Sequence, residues 1–267
     1  MHPCQVPNGE TIDLNTIPTR DEQIFPVSKS EGKDLLDEML EEIDELQTRL
    51  YAENKNRILV VFQAMDTGGK DGTIRKVFAP MDPQGIRVAS FKKPNERELS
   101  HDYLWRIHKH VPANGETVIF NRSHYEDIVA VRVRNIYPEE RWSKRYEHIV
   151  NFEKMLADEG TTLIKIFLHI SKDEQKERLQ ARLDESAKNW KFNPADLEDR
   201  ALWSKFMQAY SDVISTTNTA QNPWHVVPAD SKWYRNLIVA SIVIDTLKSL
   251  NMKYPPVDFD PASVKID

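Results

Sequence analysis

The run Asp66-Thr67-Gly68-Gly69-Lys70-Asp71-Gly72-Thr73 puts a carboxylate, a glycine pair and a lysine within one short stretch. Glycines in such a run let the backbone curl until successive N–H groups converge on one point. A chain can hold phosphate oxygens in this way without any side chain. A lysine directly after the glycines reaches a transferring phosphoryl group. Against the pattern G-x-x-x-x-G-K-[ST], Ala64 stands for the first glycine and Asp71 for the hydroxyl residue, with Thr73 close by. Asp66 is an acid inside an anion-binding loop, an arrangement that repels phosphate unless a cation offsets it. The loop therefore implies Mg2+.

Three further segments carry matching chemistry. Asn121-Arg122-Ser123-His124-Tyr125-Glu126-Asp127 begins where a P-loop kinase places an acid, and here that place holds a neutral amide. Arg122 offers a planar donor fork suited to phosphate. Glu126 and Asp127 restore negative charge. His124 is a candidate base, although a lone histidine is more often structural. Arg178 and Arg182 lie four residues apart on one helical face. Like charges at that spacing cost roughly a few tenths of a kcal/mol unless an anion lies between them. Glu174 and Glu177 are the ordinary alternative, preferred for Lys172 and Lys176. Residues 186–194 include Lys188, Trp190, Lys191 and Phe192 and read as a basic, aromatic flap that closes over phosphates. Lys92 and Lys93 add a basic pair. Together these groups suit phosphoryl transfer involving a polyanion.

The elements that must position them alternate. Short apolar runs predict strands at 58–62, 87–91, 117–120, 162–170 and 224–227. Helical spacing predicts helices at 33–51, 70–78, 96–109, 141–157 and 232–250. Another runs from Ser171 to about 185, with Ser171 and Glu174 as a capping box. This alternation predicts an α/β fold with a mainly parallel sheet covered by helices on both faces. Ligands then sit at the carboxyl ends of the strands, where the glycine loop falls.

Composition narrows the classes. The 267 residues are 40% hydrophobic and 29% charged, which supports a core and argues against disorder. The net charge of -6 argues against a nucleic-acid binder. The longest apolar stretch stops at Asp245, too short to span a membrane. Cys4 is the single cysteine and the chain opens without a signal-like pattern, so a cytoplasmic protein is expected. Residues 1–30 read as an arm on the surface and 31–255 as one domain with a lid at about 172–200. Residues 256–267 read as a tail.

The run 63–72, Ser90-Phe91-Lys92-Lys93-Pro94, Leu99-Ser100-His101-Asp102-Tyr103-Leu104-Trp105-Arg106, the 120–127 run and Lys191-Phe192-Asn193-Pro194 together resemble the polyphosphate kinase 2 family. The resemblance covers about residues 30–250. It implies a P-loop kinase-like fold with a helical lid. It also implies transfer of a terminal phosphoryl group from inorganic polyphosphate to a nucleotide with Mg2+. Matched position by position, it implies catalytic roles for Asp66, Lys70, Arg122, Arg178 and Arg182. Many members have Asp-Arg-Ser where this chain has Asn121-Arg122-Ser123. With Tyr125-Glu126-Asp127, that variant resembles the subgroup that accepts AMP as well as ADP.

The expected site is then complete. Asp66, Glu126 and Asp127 are the expected metal ligands. Thr67, Gly68, Gly69, Asp71, Gly72, Thr73, Lys92, Lys93, Asn121 and Lys188 are the expected substrate contacts. Polyphosphate, AMP, ADP and guanine nucleotides are the expected ligands, and a homo-oligomer is the expected assembly. Two other readings remain at this point, an ATP-dependent kinase of nucleotides or small metabolites, and a P-loop sensor without turnover.

Overall fold

The computed structural model describes residues 1–266; Asp267, the last residue of the expected tail, lies outside them. Five strands form one sheet: β1 (Arg57–Ala64), β2 (Ile86–Ser90), β3 (Thr117–Asn121), β4 (Thr161–His169) and β5 (Trp224–Pro228). Their order is β2-β3-β1-β4-β5 and every pairing is parallel. β1 is central, with Val60 opposite Ile119 on one side and Ile164 on the other. Ile58, Leu59, Val60, Val61 and Phe62 are all buried, because helices cover both faces of the strand.

One face packs on α1 (Lys29–Glu53), α2 (Lys70–Val77) and α11 (Lys232–Ser249). Leu36, Leu40, Ile43 and Leu50 form the buried stripe of α1, and each contributes about 1.5–3 kcal/mol by leaving water. Ser28 and Glu31 close a capping box at its start. The other face packs on α5 (Glu126–Val133), α7 (Arg145–Asp158) and α10 (Trp203–Thr217).

Several boundaries differ from the sequence reading. The expected helix at 96–109 is two single turns, α3 (Glu96–Leu99) and α4 (Trp105–His108). Asp102 Oδ1 accepts from the backbone N–H groups of Leu104 and Trp105, both at 3.0 Å, and restarts the helix there. The expected helix at 141–157 is likewise split into α6 (Glu139–Trp142) and α7. The capping box at the start of α8 (Lys172–Asp184) is half formed. Ser171 Oγ accepts from Glu174 N at 3.0 Å, but the Glu174 carboxylate bonds Arg178 instead of turning back. Two helices absent from the sequence reading, α5 and α10, are central to the core.

The N-terminal residues run along the edge of β5. Val6 N donates to Trp224 O at 2.8 Å and Val226 N donates to Cys4 O at 2.9 Å, in an antiparallel contact. Cys4, Val6 and Leu14 are buried, so this segment covers an otherwise open strand edge. Among the described residues, no helix is long and apolar enough to cross a membrane.

Candidate active site

β1 ends at Ala64, and the chain turns back through the glycine loop before α2 begins at Lys70. The turn needs left-handed backbone at Thr67 (φ 61°) and Gly69 (φ 101°). At Gly68 a Cβ would lie 2.5 Å from Ala64 Cβ and 2.8 Å from Met65 O, so only glycine fits. Thr73 Oγ1 donates to Gly69 O at 3.1 Å and fixes the first turn of α2.

Lys70 does not project into an open cleft. It is 8% exposed, and its Nζ donates to Ala64 O at 3.1 Å and Met65 O at 3.4 Å. Burial, then the charge of Arg122, pulls its ammonium below the usual lysine range, and Asp66, Glu126 and Asp71 partly offset this. Opposite it, Arg122 Nη2 donates to Asp66 Oδ1 at 2.7 Å. Arg122 holds a left-handed backbone (φ 62°), the kind of strain that persists where surrounding structure enforces it. The charge of Glu126 is the main cause holding the Arg122 guanidinium above its ordinary value.

Glu126 opens α5 at the floor of the same cleft. Loss of solvent lifts its carboxyl above the usual range, while Arg122 and Lys70 pull it back. Gln63, oriented to satisfy both neighbours, donates to Glu126 Oε1 at 2.9 Å. Asp127 is placed differently. Its carboxylate lies between Arg106 (3.4 Å) and Arg145 (3.7 Å), which ties α5 to α4 and α7. Asn121 Nδ2 donates to Asp71 Oδ1 at 2.6 Å and links the end of β3 to α2. His124 is fully buried beneath the sheet, bonded to Glu153 at 3.3 Å, and has no access to the cleft.

The lid follows β4. It comprises α8, a 3-10 turn (Ser186–Lys191) and α9 (Ala195–Ala201). The expectation that Arg178 and Arg182 lack local acids is not met. Arg178 Nε donates to Glu174 Oε1 at 2.6 Å, and its other nitrogens donate to Thr67 O (3.0 Å) and Ala229 O (2.7 Å). It thus braces the glycine loop from behind. Arg182 Nη1 donates to Asp196 Oδ2 at 3.1 Å and Lys191 O at 3.0 Å, holding the flap to α8. Lys188 is exposed and pairs with Glu185 at 2.6 Å.

A cavity of about 590 Å³ opens at the strand ends. Asp66, Arg122 and Glu126 line one side, and exposed Lys92 and Lys93 stand at its rim. Its other wall brings in residues that the sequence reading did not name. Arg134, just after α5, binds Asp199 of α9 through both carboxylate oxygens, with Nε to Oδ1 at 3.1 Å. Tyr210 of α10 reaches Ala64 O at 3.4 Å. Arg235 of α11 lies against Gly69, where a Cβ on Gly69 would stand 2.1 Å from its Nη1.

Among the described residues, no three or more His, Cys, Asp or Glu side chains are grouped to enclose a metal. Mg2+ does not require such a cage, since it is held by one or two carboxylates together with substrate phosphates and water. Asp66 and Glu126 face one cavity beside Lys70 and Arg122, and that hard-oxygen set fits this mode.

The parallel sheet in this order, with a glycine loop and lysine after its central strand and helices folded over the strand ends, defines a P-loop kinase-like protein. The family model for Polyphosphate kinase 2 matches residues 26–255, and the chain belongs to that family. It is 53% identical over 249 residues to an AMP/ADP-polyphosphate phosphotransferase of Meiothermus ruber, covering 93% of each chain. It is 44% identical over 263 residues to an ADP-polyphosphate phosphotransferase of Rhodopseudomonas palustris, covering 94% of this chain and 91% of that one. A crystal structure of Polyphosphate Kinase 2 from Arthrobacter aurescens superposes with a TM-score of 0.94 at 42% identity, covering 97% of this chain and 93% of that one.

Proposed function

We propose that this protein transfers the terminal phosphoryl group of inorganic polyphosphate to AMP and to ADP, reversibly and with Mg2+. The observation that carries this reading is the meeting of two cationic groups, one after β1 and one after β3, around Asp66. Arg122 bonds Asp66, and both line a cavity of nucleotide size, while the buried Lys70 lies close enough to feel the charges of Asp66, Glu126 and Arg122. The AMP/ADP and ADP specificities in the relatives' names support the choice of acceptors.

In the reaction, an oxygen of the nucleotide's terminal phosphate attacks the end phosphorus of the chain. The anhydride bond to the next phosphate breaks, and the chain leaves one unit shorter. Phosphate oxygens are already ionised near neutral pH, so positioning and charge neutralisation do the catalysis. Lys70 exchanges its two carbonyl partners for oxygens of the transferring group. Arg122 neutralises the same group from the other side. Mg2+, when held by Asp66 and Glu126, supplies further neutralisation of phosphate charge. Asp127 anchors α5 through Arg106 and Arg145, which keeps Glu126 in place. Arg178 and Arg182 act by holding the glycine loop and the flap. The backbone of Thr67, Gly68, Gly69, Asp71 and Gly72 and the Thr73 side chain shape the donor cradle. Lys92, Lys93 and Lys188 guide the polyanion, and the lid at 172–200 closes over it within a single domain of residues 31–255. Guanine nucleotides enter the same cavity, and the protein self-associates in the cytoplasm.

The test is an acceptor panel. With Mg2+ and long-chain polyphosphate, AMP, ADP, GMP and GDP are each expected to rise one phosphorylation level, and AMP to proceed to ATP. Turnover with ATP as the only active donor would favour an ATP-dependent kinase instead. Within this panel, Asn121→Asp is expected to lower kcat/KM for AMP more than for ADP. The new carboxylate would sit 2.6 Å from Asp71 Oδ1 in place of a donor, pushing the first turn of α2 aside and adding negative charge near Asp66 and Glu126, which would hold the metal. The third charge of ADP compensates better than the two of AMP. An unchanged ratio would remove Asn121 from acceptor choice.

A further inference from the structure

Among the described residues, no carboxylate pairs with the buried guanidinium of Arg235. It is 3% exposed, and its side-chain hydrogen bonds go to Asn236 Oδ1, at 2.9 and 3.2 Å. The acid whose charge reaches it, Glu174, is already bonded to Arg178 at 2.6 Å. Arg178 itself stands beside it, with both guanidinium groups converging on Gly69. The positive end of α2 begins at the same point. Burial, then the Arg178 charge, pushes Arg235 down to about 10. An arrangement that gathers like charges out of water lowers stability unless an anion joins them.

We propose that Arg235 is a polyphosphate-binding residue, held without a counter-ion in the empty protein and neutralised when phosphate oxygens enter the glycine loop. The inference rests on the function proposed above and assigns a further contact on its donor side. Either substrate carries phosphate oxygens, but the geometry favours polyphosphate. Gly69 leaves the guanidinium a direct path to the loop, whereas the nucleotide cavity is lined by Arg106, Arg122 and Arg134 and not by Arg235. Because Gly69 has no Cβ, Nη1 packs directly against the loop there.

The prediction has a sign that a supporting arginine would not give. Thermal melts are compared for wild type and Arg235→Gln, each empty, with long-chain polyphosphate alone, and with ADP alone. Empty Arg235→Gln is expected to melt about 2–4 °C higher than wild type, the scale of about 1 kcal/mol in a chain of this size. Polyphosphate is expected to raise its melting point by less than half the wild-type shift, while the ADP shift stays the same. KM for polyphosphate is expected to rise about tenfold with KM for ADP within about twofold. A variant that melts lower or fails to fold makes Arg235 a structural support and overturns the proposal. A full polyphosphate shift in the variant also overturns it, and loss of the ADP shift alone reassigns the contact to the nucleotide and does the same. If wild type itself shows neither a polyphosphate shift nor turnover, the proposed function fails first, and this contact fails with it.

Discussion

Lys70→Met is expected to slow phosphoryl transfer at least about a hundredfold while the protein stays folded. Methionine nearly matches the lysine stem in length, so the buried space that the stem fills stays filled. What is lost is the ammonium that now bonds Ala64 O and Met65 O. Met65 O keeps the Gly68 N–H and Ala64 O keeps the Tyr210 hydroxyl, so the loss of that donor costs stability on the order of 1 kcal/mol. The ground state loses two carbonyl contacts, and the transition state loses a full charge beside three phosphate oxygens. kcat is therefore expected to fall far more than KM rises. A single-turnover rate with saturating polyphosphate and ADP, beside a circular dichroism melt, separates the two effects. Near-normal turnover would remove Lys70 from the chemistry.

Asp66→Asn is expected to cost a similar factor for a different reason. The amide keeps the shape, and Arg122 loses its charged partner at 2.7 Å. Arg122 is 44% exposed at its side chain, so the pair contributes little to folding and the melting point is expected to move by about 1 °C or less. The loss falls on the metal and on the placement of Arg122. The Mg2+ concentration giving half-maximal rate is expected to rise at least about tenfold, with kcat down about a hundredfold at saturation. An unchanged Mg2+ profile would assign Asp66 to holding Arg122 alone.

The parts of this site that sequence revealed are local ones. The buried strand at 58–62 is a continuous apolar run because helices cover both faces of the sheet, and the glycine loop follows it directly. Asp66, Lys70, Arg122 and Glu126 lie within a few residues of a strand end, so naming the strand names their neighbourhood. Arg235 and the Arg134–Asp199 pair were not legible in that way. The pair reaches the cavity and Arg235 reaches the glycine loop from segments distant in sequence, and only the packing of α5, α9 and α11 brings them there. The acids that answer Arg178 and Arg182 were hidden in part for the same reason. Asp196 approaches Arg182 through the fold of the flap, although Glu174 was within reach one helical turn before Arg178. α10 is a different case. Phe206, Met207, Tyr210, Val213 and Ile214 recur at helical spacing and are all buried, so its signal was present in the sequence.

The identity of the phosphoryl donor carries the whole account, and phosphorus NMR reads it directly. Wild-type protein is incubated with Mg2+, AMP and long-chain polyphosphate, with no other nucleotide present. New β-phosphate resonances of ADP are expected, then γ-phosphate resonances of ATP. The internal polyphosphate signal should fall by one unit for each anhydride formed. AMP that stays unphosphorylated beside polyphosphate, yet turns over when ATP is supplied instead, would contradict it.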